Sequence, residues 1–422
     1  MKYTVVTFGC RVNQADSFMI EDGLRARGLV EAPAQDADLV IVNSCSVTAS
    51  ADQGTRQTIR RIARDNPSAR IVVTGCYATR QPDEVAALPN VLRVVANSEK
   101  DTILDVLDTE GLTTAQRFAG GDGACGATLH PGLAGRTALT LRVQTGCDEA
   151  CSYCIIPTTR GGGRSLPLDR VRTEIRVAVA AGYKEIAIAG VHLGSYGRDL
   201  ADGTTLETLV AELAAWPGDV RFRISSLEPM DCTPAVVALV AESARLAAHF
   251  HLPLQHGSDA ILRAMRRPYT AAAFSEVLCS IHDRLPHAAI GTDVIVGFPG
   301  ETDDTFLRTL ELVERLPLSH VHVFPYSDRP GTEASRLPRT ADGATIRERG
   351  RLIREAATHA SRRFQAGQVG TRHRALTVED GTRAVTGNYL KLSIPPGHAR
   401  NEWVDVTVGG VPGALTGTLT GA

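Results

Sequence analysis

The 422-residue sequence predicts an α/β protein with an N-terminal doubly wound parallel sheet, a central partial (β/α)6 barrel and a small C-terminal antiparallel β-barrel. Three observations predict it. Apolar β-branched runs alternate with helical patterns through residues 1–108, as in a parallel sheet wound on both faces. The alternation resumes for six more units across residues 138–332, enough to close part of a barrel. The last fifty or so residues carry short alternating runs instead, which suits a small antiparallel barrel.

Taken in order, KYTVVTF reads as a buried strand and SFMIEDGLRARG as an amphipathic helix closed by Gly28. DLVIVN is a second strand, and TRQTIRRIARDNP a basic helix stopped at Pro67. ARIVVT and VLRVVA are further strands, and DTILDVL is the last helix of this block. Residues 109–137, with FAGGDGACGATLHPGLAGRT, turn Gly-, Ala- and Thr-rich and read as a linker. ALTLRVQ, EIAIAG, VRFRISS, FHLPLQ, AIGTDVIVGF and SHVHVFPY are the six barrel strands. Residues 333–366 form a hinge and the basic helix TIRERGRLIREAATHASRRFQAG. RHRALTVE, AVTGNYLKLSI, EWVDVTV and GALTGTLT then make up a β module over residues 367–422.

Composition is that of an ordinary globular protein: 43% apolar, 22% charged, net charge −2. That balance neither demands nor excludes a nucleic-acid partner. MKYTVVTFGC lacks the layout of a signal peptide, and no apolar run approaches the roughly eighteen residues of a membrane span. A cytoplasmic protein with reduced thiols is expected. Nine cysteines, an odd number scattered over a long chain, argue against a disulfide framework.

Three of them form a C-x3-C-x2-C array in GCDEACSYC: Cys147, Cys151 and Cys154. Three thiolates in a loop leaving the first barrel strand can hold three irons of a [4Fe–4S] cube and leave the fourth iron open. The residues alone also suit a zinc site completed by a distant histidine, or three buried thiols. Cys10, Cys45 and Cys76 end the first three N-terminal strands, in TFGC, VNSC and VTGC. Residues just beyond the carboxyl ends of neighbouring strands converge on one crevice, so these thiols should meet and hold a second iron–sulfur cluster.

The first array, on the first strand of a six-fold βα barrel, resembles the radical S-adenosylmethionine superfamily. With the N-terminal triad it resembles the methylthiotransferase family over almost the whole chain. The matching stretches are TFGCRVNQADS, NSCSVT, VTGCYA, GCDEACSYCIIPTTRG, GVHLGSYG, RISSLEP, HLPLQHGSD, VIVGFPGET and FPYSDRPGT, and TGNYLKL resembles the family's RNA-binding TRAM barrel. GCRVNQADS with TRQTIRR most resembles the branch acting on N6-threonylcarbamoyladenosine at position 37 of tRNA. Ser44 stands where threonine is commoner.

The resemblance implies two [4Fe–4S] clusters and S-adenosylmethionine. One S-adenosylmethionine would be cleaved to a 5′-deoxyadenosyl radical at the open iron and another would supply the methyl group, with the N-terminal cluster carrying or activating sulfur. It implies as partners a tRNA anticodon stem-loop and an electron donor such as flavodoxin or ferredoxin, with the sulfur donor left open. A monomer acting away from membranes is expected. Tyr153 occupies the motif's aromatic position, with ordinary loop packing as the plainer reading. Gly190 and Gln255, at strand ends, fall where the superfamily approaches S-adenosylmethionine. Alternative substrates are N6-isopentenyladenosine in tRNA or a ribosomal-protein aspartate. A zinc-dependent RNA-binding protein without catalysis is the alternative of another class.

Cys125, Cys232 and Cys279 match no family cysteine and read as structural, the last two in helical stretches. His192, His251 and His256 lie near barrel strand ends, where a histidine either lines a site or serves as a hydrogen-bonded core residue. GFPGE lacks the setting of a dinucleotide site. Residues 338–422 carry twelve Lys and Arg against seven Asp and Glu, a bias suited to phosphates or to a solvated helix face. Tyr389 either stacks on a base or fills its barrel. Arg56, Arg60 and Arg64 share a helix face at i, i+4 spacing and would frame the RNA path.

Overall fold

The computed structural model describes residues 1–113, 131 and 136–420; Cys125 and most of the expected linker lie outside them. Five parallel strands form the first sheet: β1 (Lys2–Thr7), β2 (Val30–Glu31), β3 (Leu39–Ser44), β4 (Arg70–Gly75) and β5 (Val91–Val95), in the order β2-β1-β3-β4-β5. β3 is central and buried along its whole length, which is why DLVIVN reads as an unbroken apolar run. Its side chains supply two cores alternately. Leu39 and Ile41 pack with Ile20 and Leu24 of α1 (Arg11–Ala26) and Leu107 of α5 (Ile103–Thr109). Val40 and Val42 pack with Ile59 and Ile62 of α2 (Ala49–Asp65). Strand order reverses between β1 and β3, so the turns leaving these strands border the crevice of the sheet.

α1 starts at Arg11, well before its apolar pattern, because its first turns bury Asn13, Asp16 and Ser17. Polar residues in a buried position hide the helical period. The edge strand β2 and the helices α3 (Cys76–Arg80) and α4 (Pro82–Ala86) are too short to show one.

The chain continues through β6 (Leu139–Arg142) into an antiparallel ribbon of β7 (Gln144–Thr145) and β8 (Arg164–Ser165). This ribbon closes the base of the cysteine loop, which contains α6 (Ile156–Arg160). The other barrel strands are β9 (Glu185–Ala189), β10 (Arg221–Ile224), β11 (His249–His251), β12 (Ala289–Val296) and β13 (His320–Pro325). All six expected strands form, as two parallel sheets, β6-β9-β10 and β11-β12-β13. FHLPLQ contributes only Phe250 and His251 to β11, since Pro253 has no N–H for the ladder. α7 (Leu168–Ala180), α8 (Leu206–Ala214), α9 (Pro234–Glu242), α10 (Asp259–Ala264), α11 (Ala271–Arg284) and α12 (Asp303–Arg315) connect them.

The basic helix α13 (Gly343–Ala366) begins at Asp342, whose side chain accepts from the Thr345 N–H at 2.7 Å. It buries Ile353, Ala356 and Ala360 in the barrel core. Arg349 pairs with Glu301 and Asp303, and Arg351 with Glu348 and Glu355, so the charge of these two arginines is met within the protein. Among the described residues no helix is long and apolar enough to cross a membrane.

The C-terminal residues close a five-stranded barrel, β14-β15-β16-β18-β17, from β14 (Arg372–Val378), β15 (Arg383–Thr386), β16 (Lys391–Ser393), β17 (Trp403–Val411) and β18 (Ala414–Leu419). Leu392, Val406, Val408 and their neighbours fill it. AVTGNYLKLSI is two strands rather than one run. The Leu390 N–H bonds back to the Thr386 hydroxyl at 3.0 Å, and Tyr389 sits at the turn with φ +64°, a conformation uncommon outside glycine.

Candidate functional site

A cavity of about 970 Å³ opens where the N-terminal sheet, the partial barrel and the C-terminal barrel meet. Cys10, Cys147, Cys151 and Cys154 all line it, as do Tyr153, Gly190 and Gln255. Cys45 and Cys76 are buried outside that lining.

The barrel cysteines ride on a loop that supplies donors to its own sulfurs. The Glu149 and Ile156 N–H groups reach Cys147 Sγ and Cys154 Sγ, each at 3.4 Å. Arg267 gives Cys151 Sγ a charged donor at 3.1 Å and also pairs with Glu228. Hydrogen bonds to sulfur of this kind tune iron–sulfur ligands. Burial pushes the Cys154 thiol up to about 12, so the bare side chain is protonated at neutral pH, and a coordinated metal would remove that proton. Tyr153 lines the cavity and packs edge-on against Phe298, with ring centres 6.4 Å apart. His192 lies 3.9 Å from Cys147 Sγ and bonds to Asp231 at 2.9 Å. Burial would lower its pKa, but Asp231 and Cys147 together hold it near 9.

In the N-terminal triad each thiol comes from a different strand end. Burial, with smaller contributions from Cys10 and Cys76, pushes Cys45 up to about 11, which places the three in one electrostatic neighbourhood. Gly9 permits the approach: with φ +90°, a Cβ there would sit 2.4 Å from Cys45 Sγ. Val47 N–H and Asn97 Nδ2 donate to the sulfurs of Cys45 and Cys76 at 3.5 and 3.6 Å.

The donor sets discriminate between metals. Zinc–sulfur bonds of about 2.3 Å put tetrahedral thiolates roughly 3.8 Å apart. Among the described residues no three cysteine sulfurs come within 4.8 Å of one another. Neither triad is drawn in as tightly as one zinc ion would need, and thiolates that take N–H and guanidinium donors at sulfur suit an iron–sulfur cluster.

Arg160, at the end of the barrel cysteine loop, reaches across to the other triad. It bonds to Asn13 and, at 3.0 Å, to Asp16 on α1, and the charges of Cys76 and Cys10 act on it. Lys100 and Arg142 complete this buried group around Asp16 at 3.0 and 2.9 Å.

Tyr389 corrects the expectation that it would fill its own barrel. It projects into the cavity wall, where Arg11 Nη2 donates to its hydroxyl at 2.6 Å and the Arg223 guanidinium lies 4.0 Å from its ring centre. Arg223 and Arg221 also bond to the carbonyls of Gly387 and Val385 at 2.7 and 3.1 Å and share the buried Glu185, docking the C-terminal barrel. The helix-face arginines do not line the cavity: Arg56 is held by Tyr77 and Glu84, and Arg64 by Asp65. His251 lines the cavity, whereas His256 is a core residue against Glu301 and Thr309. Cys232 is buried in the barrel core just ahead of α9, not within a helix, and Cys279 is exposed on α11. Arg11, Arg160 and Arg267 carried no spacing signal, because each acts through partners distant in sequence.

Residues 2–97 match the family described as uncharacterized protein family UPF0004, and residues 141–313 match the radical SAM superfamily. The chain is 38% identical to the threonylcarbamoyladenosine tRNA methylthiotransferase MtaB of Thermotoga maritima, over 96% of this chain and 92% of that one. It belongs to the radical S-adenosylmethionine methylthiotransferase family. Another member, the tRNA-2-methylthio-N(6)-dimethylallyladenosine synthase of Herpetosiphon aurantiacus, is 34% identical over 80% of this chain and 76% of its own. Among solved structures, the radical S-adenosylmethionine methyltransferase TsrM of Kitasatospora setae superposes with a TM-score of 0.57 at 15% identity, covering 79% of this chain and 76% of that one. That likeness concerns the fold, and it extends beyond the methylthiotransferase family.

Proposed function

We propose that this enzyme converts N6-threonylcarbamoyladenosine at position 37 of tRNA to its 2-methylthio derivative. The observation that carries the reading is that the barrel triad and Cys10 of the N-terminal triad line one cavity with a wall from each part of the fold, with Cys45 and Cys76 buried behind Cys10. Cys147, Cys151 and Cys154 would hold one [4Fe–4S] cluster, and Cys10, Cys45 and Cys76 a second. When bound, these groups supply the electron that cleaves S-adenosylmethionine and a site for the sulfur to be transferred.

The chain's own residues do the rest. Arg267 places positive charge against Cys151, Arg160 fixes the loop of one triad against the helix beside the other, and Tyr389 forms part of the cavity wall on the C-terminal side. Arg11 and Lys391 put cationic groups on the lining. A threonylcarbamoyl group carries a carboxylate that such groups would bind, and a dimethylallyl group has none. That contrast favours the first substrate. The anticodon stem-loop would be the RNA element presented, with an electron donor of the flavodoxin or ferredoxin type and a monomeric enzyme in the cytoplasm.

The test is mass spectrometry of nucleosides after incubating the reconstituted enzyme with tRNA carrying either modification. A 2-methylthio product from the threonylcarbamoyl substrate is expected. Product from the dimethylallyl substrate alone would overturn the assignment.

A further inference from the structure

The wall of the same cavity carries a histidine cluster that the proposed reaction leaves unused. His251 on β11 and His320 and His322 on β13 place one ring nitrogen each within 4.8 Å of the others. Strand register produces the grouping: His251 and His320 flank Gly291 of β12 in one row, and Asp293 pairs with His322 in the next. Gly291 is required there. A Cβ at that position would lie 2.0 Å from His320 Nε2 and 2.8 Å from His251 Nδ1, so those two nitrogens converge on space that only glycine leaves open.

The outer hydrogen bonds set which nitrogens are free. Ser319 Oγ donates to the Ile290 carbonyl at 3.0 Å and so accepts from His320 Nδ1–H, also at 3.0 Å. His320 Nε2 is left with a bare lone pair. His251 Nε2 lies 3.1 Å from the Asp293 carboxylate, which accepts its proton and leaves Nδ1 bare. Two imidazole lone pairs thus face the same gap, with a third ring beside them. Ligating histidines have this arrangement, one nitrogen on the metal and the other on a carboxylate or hydroxyl.

We infer that His251, His320 and His322 form a site for a divalent transition metal of the zinc type, separate from both cysteine triads. Three imidazoles leave one position of a tetrahedral ion free. That position faces the cavity, where it takes water or an anionic oxygen of a bound ligand. Metal–nitrogen bonds of about 2.0 Å need the three rings to draw together slightly. His322 has the freedom to do so, because its side chain is exposed at the edge strand.

The test uses the full chain with its iron–sulfur content intact, exposed to Zn2+ and then dialysed. The wild-type protein should retain about one zinc per chain, with imidazole nitrogen and no sulfur in its zinc-edge X-ray absorption. His322→Ala, on an exposed edge, and His320→Gln should lose that zinc while their iron content stays unchanged. Ser319→Ala removes the outer partner and should weaken zinc binding roughly 10- to 100-fold. Failure of the wild type to retain zinc would overturn the inference. So would wild-type zinc stoichiometry in both histidine variants, or sulfur in the zinc shell.

Discussion

Cys147, Cys151 and Cys154 share one short loop whose own backbone donates to their sulfurs, whereas Cys10, Cys45 and Cys76 arrive from three strand ends and are brought together only by the sheet. The loop triad keeps its geometry through local hydrogen bonds and a ribbon two rungs long. The sheet triad keeps its geometry as long as the order of β1, β3 and β4 does. The first is thus sensitive to small changes nearby and the second to the integrity of a whole domain. Arg160 is a tie between them, a loop residue anchored on the helix that follows Cys10.

The largest effect is expected from the loop. Cys147→Ala, Cys151→Ala or Cys154→Ala should each abolish 5′-deoxyadenosine formation under dithionite while the circular dichroism spectrum stays native, because loop thiols contribute little to packing. Normal turnover in any of the three would break the comparison at its first term. Next comes the triple variant Cys10→Ala, Cys45→Ala, Cys76→Ala. It should lose roughly half the iron and all methylthio product, yet still form 5′-deoxyadenosine. Full iron content or continued methylthiolation would make those three thiols ordinary core residues.

Arg160→Gln sharpens the comparison by loosening the tie without touching a thiol. Both sets of iron should remain, while misplacement of one centre against the other lowers methylthiolation by on the order of 10²-fold and leaves 5′-deoxyadenosine per iron unchanged. Equal losses of both products would mean that Arg160 serves only stability. The smallest effect belongs to Cys279→Ala, on the exposed face of α11. Iron content and product should not change, and stability should move by less than about 0.5 kcal/mol.

The same contrast explains what could be read before any coordinates. The loop triad was visible as a spacing, and the sheet triad as three cysteines at equivalent strand ends. The fold class followed from apolar periodicity, which survives wherever strands are buried on both faces, as in β3. Periodicity failed where polar residues are buried, as at Asn13 and Asp16 in the first turns of α1. It also failed where a proline cut a strand short, as Pro253 does after β11. The placing of Tyr389 was illegible for another reason: its turn geometry is local, but its partners Arg11 and Arg223 are not. The histidine cluster needed the register of three strands and the missing side chain of Gly291 to become visible.

The hydrogen bond between Arg11 and Tyr389 joins residues 378 positions apart. During synthesis, domains fold in order from the N-terminus. The sheet and the partial barrel, with all six cysteines of the two triads, can therefore be in place before Tyr389 has left the ribosome. A chain that stops short would carry every thiol and still lack one wall. Any reactive species generated in it would meet water and bystander molecules rather than a bound base. The last fifty residues are thus the last wall of the cavity in order of synthesis as well as in space.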